Sequence, residues 1–380
     1  MSLLDFIKEG SVPVSIRFLY MVLYLIVFVI FINYTNKYSY DSYDNDNKKG
    51  YFFAILYTIF AVFYCVNSDY FSYRFWVENY EKISSSFSKE IVYMIIARLV
   101  KGDYELFRLI VWGGGIAITC MIAKLQRTNL YATLLIWFIL YYSFFCYARA
   151  SLGIGIFTLG VAMIAQNIGI NRILVAVGFL VCLSSISFHR SLLIGVLTLP
   201  ILFFEINKSR LVIFAILLVG IGPVLMGTVF DIQDFSTDEN YSSAIQGYTE
   251  AINDGMYETN SISNIIKLLW KYSLFYHAFF LISKVLFREE NYGYISNETI
   301  SMYKVTAAVI LLATAFGVEF GLGNVFFYRV LFMTAPMLSV VASRLWQDGL
   351  LSNANIRQLS YNAVAYYVVY FYINISSHSI

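Results

Sequence analysis

The chain has 380 residues, of which 59% are hydrophobic and 13% charged, and its formal net charge is +2 at pH 7. Soluble domains carry about 25% charged residues, so this composition, with its mean hydropathy of +0.67, excludes an ordinary soluble enzyme and indicates a multi-pass membrane protein. No run of basic residues is suited to follow a phosphate backbone, and we therefore expect no nucleic-acid partner.

Apolar segments along the chain predict about twelve membrane-spanning helices, since one span needs roughly 17–25 apolar residues. The N-terminal sequence lacks a basic segment followed by a cleavage site, so we expect the first span to stay uncleaved. Two short segments flank His189, where a tilted or broken helix is an alternative. We predict an all-α polytopic protein in which residues 1–380 form a single integral membrane domain. The candidate spans are residues 16–33, 51–67, 105–123, 130–148, 150–168, 172–188, 191–205, 210–229, 264–286, 303–320, 326–344 and 361–376.

The basic residues of the short loops predict the orientation, because Lys and Arg accumulate in cytoplasmic loops. If the spans alternate, all of these loops fall on one side, which we assign to the cytoplasm, and both termini fall outside. Segment 68–104 and the acidic loop 230–263, which has no Lys or Arg, are then external. The loop residues are Lys37, Lys48 and Lys49, then Lys124 and Arg127, Arg172, Lys208 and Arg210, Lys284, Arg288 and Lys304, and finally Arg344 and Arg357.

Two external segments are predicted to form amphipathic helices. In residues 241–252 the apolar side chains recur at helical spacing, which favours an amphipathic helix that forms a lid on the external side. Residues 90–100 are too short to span and are suited to lie in the membrane interface. An ordinary external loop is the alternative in each case.

Charged and polar side chains lie at the external ends of several predicted spans. Placing charged groups beside the membrane costs free energy, so their presence there requires an explanation. Arginines at several external turns favour an anion-binding chamber, since the planar guanidinium binds phosphate oxygens in pairs and stays charged. Snorkelling to lipid headgroups is the alternative for any single Arg. His189 is a candidate proton-transfer group, or else a structural histidine. The residues are Asp69, Tyr70, Tyr73 and Arg74, then Arg149, then His189 and Arg190, and finally Glu319 and Arg329.

No metal or cofactor site is expected from the sequence. The four cysteines lie inside apolar runs without the spacing of metal ligands, and we interpret them as core residues. The one Asp-x-Asp pair, Asp44 and Asp46, lies in a predicted internal loop, away from the external charges.

Four segments of the chain are similar, in this order, to the motifs of one known family. NSDYFSYRFWVENY (67–80) is similar to a D-Y-x-x-Y element, and YARASLGIGIFTLGVAMIA (147–165) to an R-Q-x-L-A-x-G-I segment. SFHRSLLIGVLTLP (187–200) resembles an H-x-S-A-L-I segment, and FFYRVLFMTAPMLSV (326–340) a late R-x-x-x-Y-F segment. On these motifs the chain resembles the EpsG family of exopolysaccharide and O-antigen repeat-unit polymerases.

Two positions depart from the family pattern, and one further motif is matched. Ala150 stands where Gln is usual, and Leu192 replaces Ala, so the local packing is where the resemblance is weakest. Arg149 and Gly160 also resemble the R-x10-G pattern of Wzy polymerases.

The resemblance implies a GT-C-like polymerase related to O-antigen ligases. Such enzymes use oligosaccharides linked to undecaprenyl pyrophosphate on the external face of the plasma (inner) membrane. They move the growing glycan from its lipid carrier to the non-reducing end of a new lipid-linked repeat unit. Membrane lipids and a separate chain-length regulator are the further partners that this reading suggests.

The chemistry of such a transfer assigns roles to the external residues. The departing pyrophosphate needs fixed positive charge, which Arg149, Arg190, Arg329 and Arg74 can supply without a metal. The acceptor hydroxyl needs a base, for which we favour His189, with Asp69 and then Glu319 as alternatives. Tyr70 and Tyr73 are candidates for contacts with the sugar.

Two other functions remain open on the sequence. A transporter or flippase of lipid-linked oligosaccharide is expected to show internal repeats and charges near the bilayer midplane, and neither is evident. A membrane sugar O-acyltransferase would also use a histidine at a membrane face, but no internal histidine is available to receive a cytoplasmic acyl group.

Overall fold

The computed structural model describes residues 14–37, 43–64, 68–81, 91–141, 148–189, 192–205, 273–288, 291, 293–320, 331 and 333–376, and all regular elements within these ranges are helical. The helices are α1 (Val14–Lys37), α2 (Tyr43–Ile59, continued by a π-helical turn Phe60–Tyr64), α3 (Ser68–Glu78), α4 (Ile91–Leu99), α5 (Tyr104–Arg108, continued by a π-helical turn Leu109–Gly113), α6 (Gly114–Leu125), α7 (Leu130–Tyr141), α8 (Ala148–Asn167), α9 (Arg172–Ser185), α10 (Leu192–Thr198, continued by a 3₁₀ turn Leu199–Phe203), α11 (Ser273–Leu286), α12 (Asn297–Phe320), α13 (Thr334–Gln347) and α14 (Asn353–Ser376).

The helices confirm most of the predicted apolar segments. Eleven of the twelve overlap a described helix, while 210–229 lies outside the described residues, as do the acidic loop 230–263 and the amphipathic segment 241–252. The break at His189 is present, since α9 ends before it and α10 begins after it. The predicted helix in 90–100 is also present, as α4.

Two helices begin at polar residues before the predicted apolar segment, and for one of them the predicted loop is wrong. The last helix begins at Asn353 rather than 361, where the Ser352 hydroxyl accepts a hydrogen bond from the Asn355 backbone at 3.2 Å. The predicted loop around Asp44 and Asp46 forms the first turn of α2. Solvated helix ends carry no apolar signal, so hydropathy stops short of them.

The outer surface of the helices is apolar over much of its length. On α2, for example, Phe52, Ile55, Leu56 and Ile59 are exposed, as large apolar side chains rarely are in soluble proteins. Within the described ranges, Tyr104–Leu125 is the helix whose length and apolar composition suffice to cross a membrane. These surfaces have the character of a membrane protein, and the number of spans stays a prediction.

Small residues allow the central helices to approach closely. A Cβ atom on Gly160 of α8 would lie 2.7 Å from the carbonyl oxygen of Gly178 on α9, so neither position has room for a larger residue. Close backbone contact of this kind is how helices associate where lipid removes the hydrophobic driving force. The glycine of the R-x10-G pattern therefore has a packing role.

Basic loops meet at one end of the helix bundle. Arg344 donates to the Arg127 carbonyl oxygen at 3.1 Å, and Arg357 to the Asn36 side chain at 2.6 Å. These bonds join the α6–α7 and α13–α14 turns and the end of α1, and we call this region the basic end. The sequence predicts that these loops share a side, and the structure brings them together.

Candidate functional site

The D-Y-x-x-Y motif forms α3, which packs on a small aromatic cluster. Asp69 and Tyr70 lie in the first turn of the helix. The Tyr73 ring is 5% exposed and contacts Trp76 edge-on at 5.7 Å, so a contact between Tyr73 and a sugar requires the cluster to open. The Arg74 Nε atom lies 2.7 Å from a carboxylate oxygen of Glu78, and both side chains are partly exposed.

The aromatic cluster joins the described parts of segment 68–104, residues 68–81 and 91–104, to the bundle. Its buried members come from the π-helical turn after α2, from α3 to α5, and from the π-helical turn after α5. Past the end of α3, the hydrogen bond from the Tyr80 hydroxyl to the Glu81 carboxylate raises the pKa of Tyr80 above its ordinary value. The buried residues of the cluster are Ala61, Tyr73, Val77, Tyr93, Ile96, Ala97, Val100, Tyr104, Phe107, Val111 and Trp112.

His189 occupies a tight turn that packs against this cluster. The backbone N–H groups of Phe188 and His189 both donate to the Ser185 carbonyl, and the His189 carbonyl accepts from Leu192 at 3.0 Å. The Phe188 ring lies edge-on to Tyr93, with the ring centroids 6.2 Å apart. The His189 side chain is 5% exposed. The break between α9 and α10 thus leaves His189 buried, next in sequence to the Phe188 ring that contacts α4.

The start of α8, where Arg149 lies, reaches the same region. The Ser151 hydroxyl donates to the Val111 carbonyl at 3.2 Å, which ties α8 to the π-helical turn after α5. A Cβ atom on Gly153 would lie 2.9 Å from the Phe188 Cβ, so the first turns of α8 touch the His189 turn directly. We call this region, formed by α3, the start of α8 and the His189 turn, the site end.

Glu319 lies in the last turn of α12, at the site end. Asn167, the last residue of α8, and Glu298, in the first turn of α12, both line a cavity at the basic end. The two helices pack on each other and therefore run in opposite directions. The end of α12 must then lie towards the start of α8. Arg190 and Arg329 are outside the described residues.

Arg108 is a buried cation of the site end that the sequence reasoning missed. It is 1% exposed, and its Nη2 atom donates to the Ala61 carbonyl at 2.7 Å. Its guanidinium carbon lies 4.5 Å from the Trp112 ring centroid and 5.7 Å from that of Tyr104. His189 was recognised because it interrupts an apolar run. Arg108 was overlooked because it lies near the edge of a predicted span, where an Arg commonly extends its charge to the lipid headgroups.

The arrangement offers a buried imidazole, a buried guanidinium and two helix starts at one end of the bundle. Within the described residues, no three His, Cys, Asp or Glu side chains come together as a metal site requires. Chemically, the site end is suited to move a proton and to hold positive charge near an anion. The roles assigned to its individual side chains stay predictions.

Comparison with known proteins decides the family. The model of the EpsG family matches residues 50–380, which include α2 to α14 except for the start of α2. The chain belongs to the EpsG family. No curated protein and no solved structure gives a significant match. The EpsG family is associated with polysaccharide biosynthesis and with polymerase activity of the glycosyltransferase type, and all four motif segments of this EpsG chain fall within the matched range.

Proposed function

We propose that this EpsG chain is a polysaccharide repeat-unit polymerase, a metal-independent glycosyltransferase of GT-C-like fold in the plasma membrane. The observation that supports this most is the convergence of the D-Y-x-x-Y helix, the start of the Arg149 helix and the His189 turn around one aromatic cluster. Three motifs that lie far apart in sequence thus meet at one end of the bundle, as residues of one site would.

In the proposed reaction a sugar hydroxyl of the acceptor repeat unit attacks the anomeric carbon of the donor glycan. His189 accepts the hydroxyl proton as the new glycosidic bond forms. The bond to the pyrophosphate oxygen breaks, and undecaprenyl pyrophosphate leaves with the bonding electrons. Arg149, Arg190 and Arg329 stabilise the charge of the leaving group. Asp69 and Glu319 are the alternative bases, and Tyr70 and Arg74 lie on the helix that would border the acceptor.

The proposed site faces the outside of the membrane because it lies opposite the basic end. Short loops rich in Lys and Arg favour the cytoplasm, so the other end of the bundle is external. Lipid-linked oligosaccharides therefore reach the site from the outer leaflet of the plasma (inner) membrane. Binding of a chain-length regulator at this face belongs to the same proposal.

Substitution of His189 tests the proposal directly. In cells that depend on this chain, His189→Ala is expected to abolish the polymer while single repeat units remain, since loss of a proton-transfer group costs about 10²–10⁴-fold in rate. The matched control is His277→Ala, because His277 hydrogen-bonds Asn362 at 2.8 Å on the α11–α14 contact, away from the cluster. Both variants are compared at equal protein level.

The outcomes separate the competing functions. Polymer of normal amount and length in His189→Ala would move the base role to Asp69 or Glu319. A flippase defect would remove single repeat units from the external face, and an acyltransferase defect would leave a polymer of normal length that lacks acyl groups. Either of these results would refute the polymerase proposal.

A further inference from the structure

The basic end contains a polar cavity that the proposed reaction does not use. Its volume is about 880 Å³, and it lies between the α6–α7 turn, the end of α8, the start of α12 and α13. Its lining is rich in cations and amides, and among the described residues Glu298 is the one carboxylate that lines it. The lining residues are Met121, Lys124, Leu125, Gln126, Arg127, Gln166, Asn167, Ser296, Glu298 and Arg344.

The three cations that line this cavity differ in their hydrogen bonds and ion pairs. Arg344 is held by Asp348 at 3.0 Å and by the Arg127 carbonyl, so it fixes the wall of the cavity. Lys124 and Arg127 are exposed, and neither side chain makes a hydrogen bond or ion pair with any other part of the chain that the structure describes. Two positive charges are therefore available to a ligand.

An apolar groove along the bundle adjoins this cavity and shares two lining residues with it. The groove has a volume of about 600 Å³ and runs between α2 and the α5–α6 helix, lined by residues such as Ile55, Ile59 and Ala117. Met121 and Lys124 line both the groove and the polar cavity. From Leu109 to Lys124 the groove covers about 22 Å of helix, which exceeds half of the roughly 30 Å hydrocarbon core.

We propose that the groove and cavity together bind one membrane phospholipid with an anionic phosphate headgroup. An acyl chain lies in the groove against α2 and α6, and the phosphate binds Lys124 and Arg127. The match is one of shape and charge, since an apolar groove longer than half of the hydrocarbon core adjoins a cavity with two cations that have no partner among the described residues. In the predicted orientation, with the basic loops in the cytoplasm, the basic end faces the leaflet that carries anionic lipid. The proposal is independent of the reaction at the site end.

Lipid titration of the purified full-length chain in neutral phosphatidylcholine nanodiscs tests this site. Fluorescent phosphatidylglycerol is expected to bind saturably, and unlabelled phosphatidylglycerol to displace it better than phosphatidylcholine does. Each cation removed is expected to weaken binding roughly fivefold, so Lys124→Gln with Arg127→Asn weakens it about 25-fold. Asn is chosen because Arg127 has a φ of +52°, a conformation that Asn tolerates.

The chain offers a matched control for the charge. Lys101→Asn removes an exposed cation that also has a φ of +52°, but it lies before α5, at the opposite end of that helix from the cavity. This variant is expected to bind phosphatidylglycerol like the unchanged chain. Ala117→Trp fills the groove without altering any charge and is expected to weaken binding at least tenfold. Thermal unfolding of each variant shows that it is folded.

Three results would overturn the proposal. If glycerol phosphate, which has no acyl chain, displaces the lipid and Ala117→Trp binds normally, the ligand is a soluble phosphate. If phosphatidylcholine displaces the probe as well as phosphatidylglycerol does, the groove holds ordinary boundary lipid. If Lys101→Asn weakens binding as much as the double variant, only the overall charge of the chain matters.

Discussion

Replacement of Arg108 by Met tests whether a buried cation braces the segment that carries the D-Y-x-x-Y motif. Met fills a similar volume but loses the bond to the Ala61 carbonyl, whose length of 2.7 Å is that of a charge-assisted hydrogen bond. Such bonds contribute about 1.5–3 kcal/mol. The 4.5 Å contact with Trp112 adds roughly 0.5–2 kcal/mol. Relief from burying a charge offsets part of the sum, so we expect a net loss of about 2–3 kcal/mol in unfolding free energy.

A double-mutant cycle isolates the cation–π contribution. The four proteins are the unchanged chain, Arg108→Met, Trp112→Leu and the double variant, and their unfolding free energies are measured by SDS titration in mixed micelles. We expect a favourable coupling of about 1–2 kcal/mol, because the contact is desolvated. Tyr104→Leu serves as the comparison, and its longer 5.7 Å separation is expected to give a smaller coupling.

The proposed stabilising role of Arg108 is refuted if Arg108 and Trp112 contribute independently to the unfolding free energy. If the coupling between Arg108 and Trp112 falls within the roughly 0.3–0.5 kcal/mol typical of separate positions, the guanidinium does not bind the ring energetically. Equal stability of Arg108→Met and the unchanged chain would refute the hydrogen bond to Ala61 as well.

Two further predictions concern α8. If Arg149 binds pyrophosphate through paired hydrogen bonds, Arg149→Lys is expected to lose most polymer formation at normal expression. The control is Arg17→Lys, at the end of a predicted span and without a proposed role, which is expected to stay active. An active Arg149→Lys variant would instead indicate that Arg149 anchors the helix at the lipid headgroups. Gly160→Ala places a methyl group 2.7 Å from the Gly178 carbonyl and is expected to cost about 1–3 kcal/mol in SDS unfolding. Gly155→Ala, where the added carbon is 3.4 Å from Ile118, is the control, and equal stability of the two would contradict tight packing.

Hydropathy located the apolar helices, although it missed α3 and the polar starts of α2 and α14, and it did not show which helices pack on each other. A local apolar run in the sequence predicts each of these apolar helices. The family resemblance likewise depends on four short local motifs. The packing partners are set by contacts between residues that are distant in sequence, such as the bond from the Tyr24 hydroxyl to the Ile139 carbonyl. No local pattern marks such a pair, so the neighbours of α3 or of the His189 turn could not be read from the sequence.

The role of a charged residue is equally hard to read locally. His189 and Arg108 both interrupt apolar sequence, yet only the first was singled out, because the second falls where a span was expected to begin. For Tyr73 the sequence predicted a role that its burial does not favour. Its position in a family motif suggested a contact with the sugar, but its ring is buried in the cluster that contains Tyr93 and Trp76. Burial depends on the fold of the whole 68–104 segment, which spacing alone does not contain.

Different forces hold the two parts of the site end together, and this difference sets what each can tolerate. Between α8 and α9 the contact relies on close backbone approach at glycines, because lipid supplies no hydrophobic driving force there. The aromatic cluster instead closes a segment outside the predicted spans, where burial from water contributes directly. The His189 turn belongs to both parts, since Phe188 contacts Tyr93 while the first turns of α8 press on the same residue. A change in either part therefore moves His189, whereas changes at the basic end reach it only through the full length of the helices.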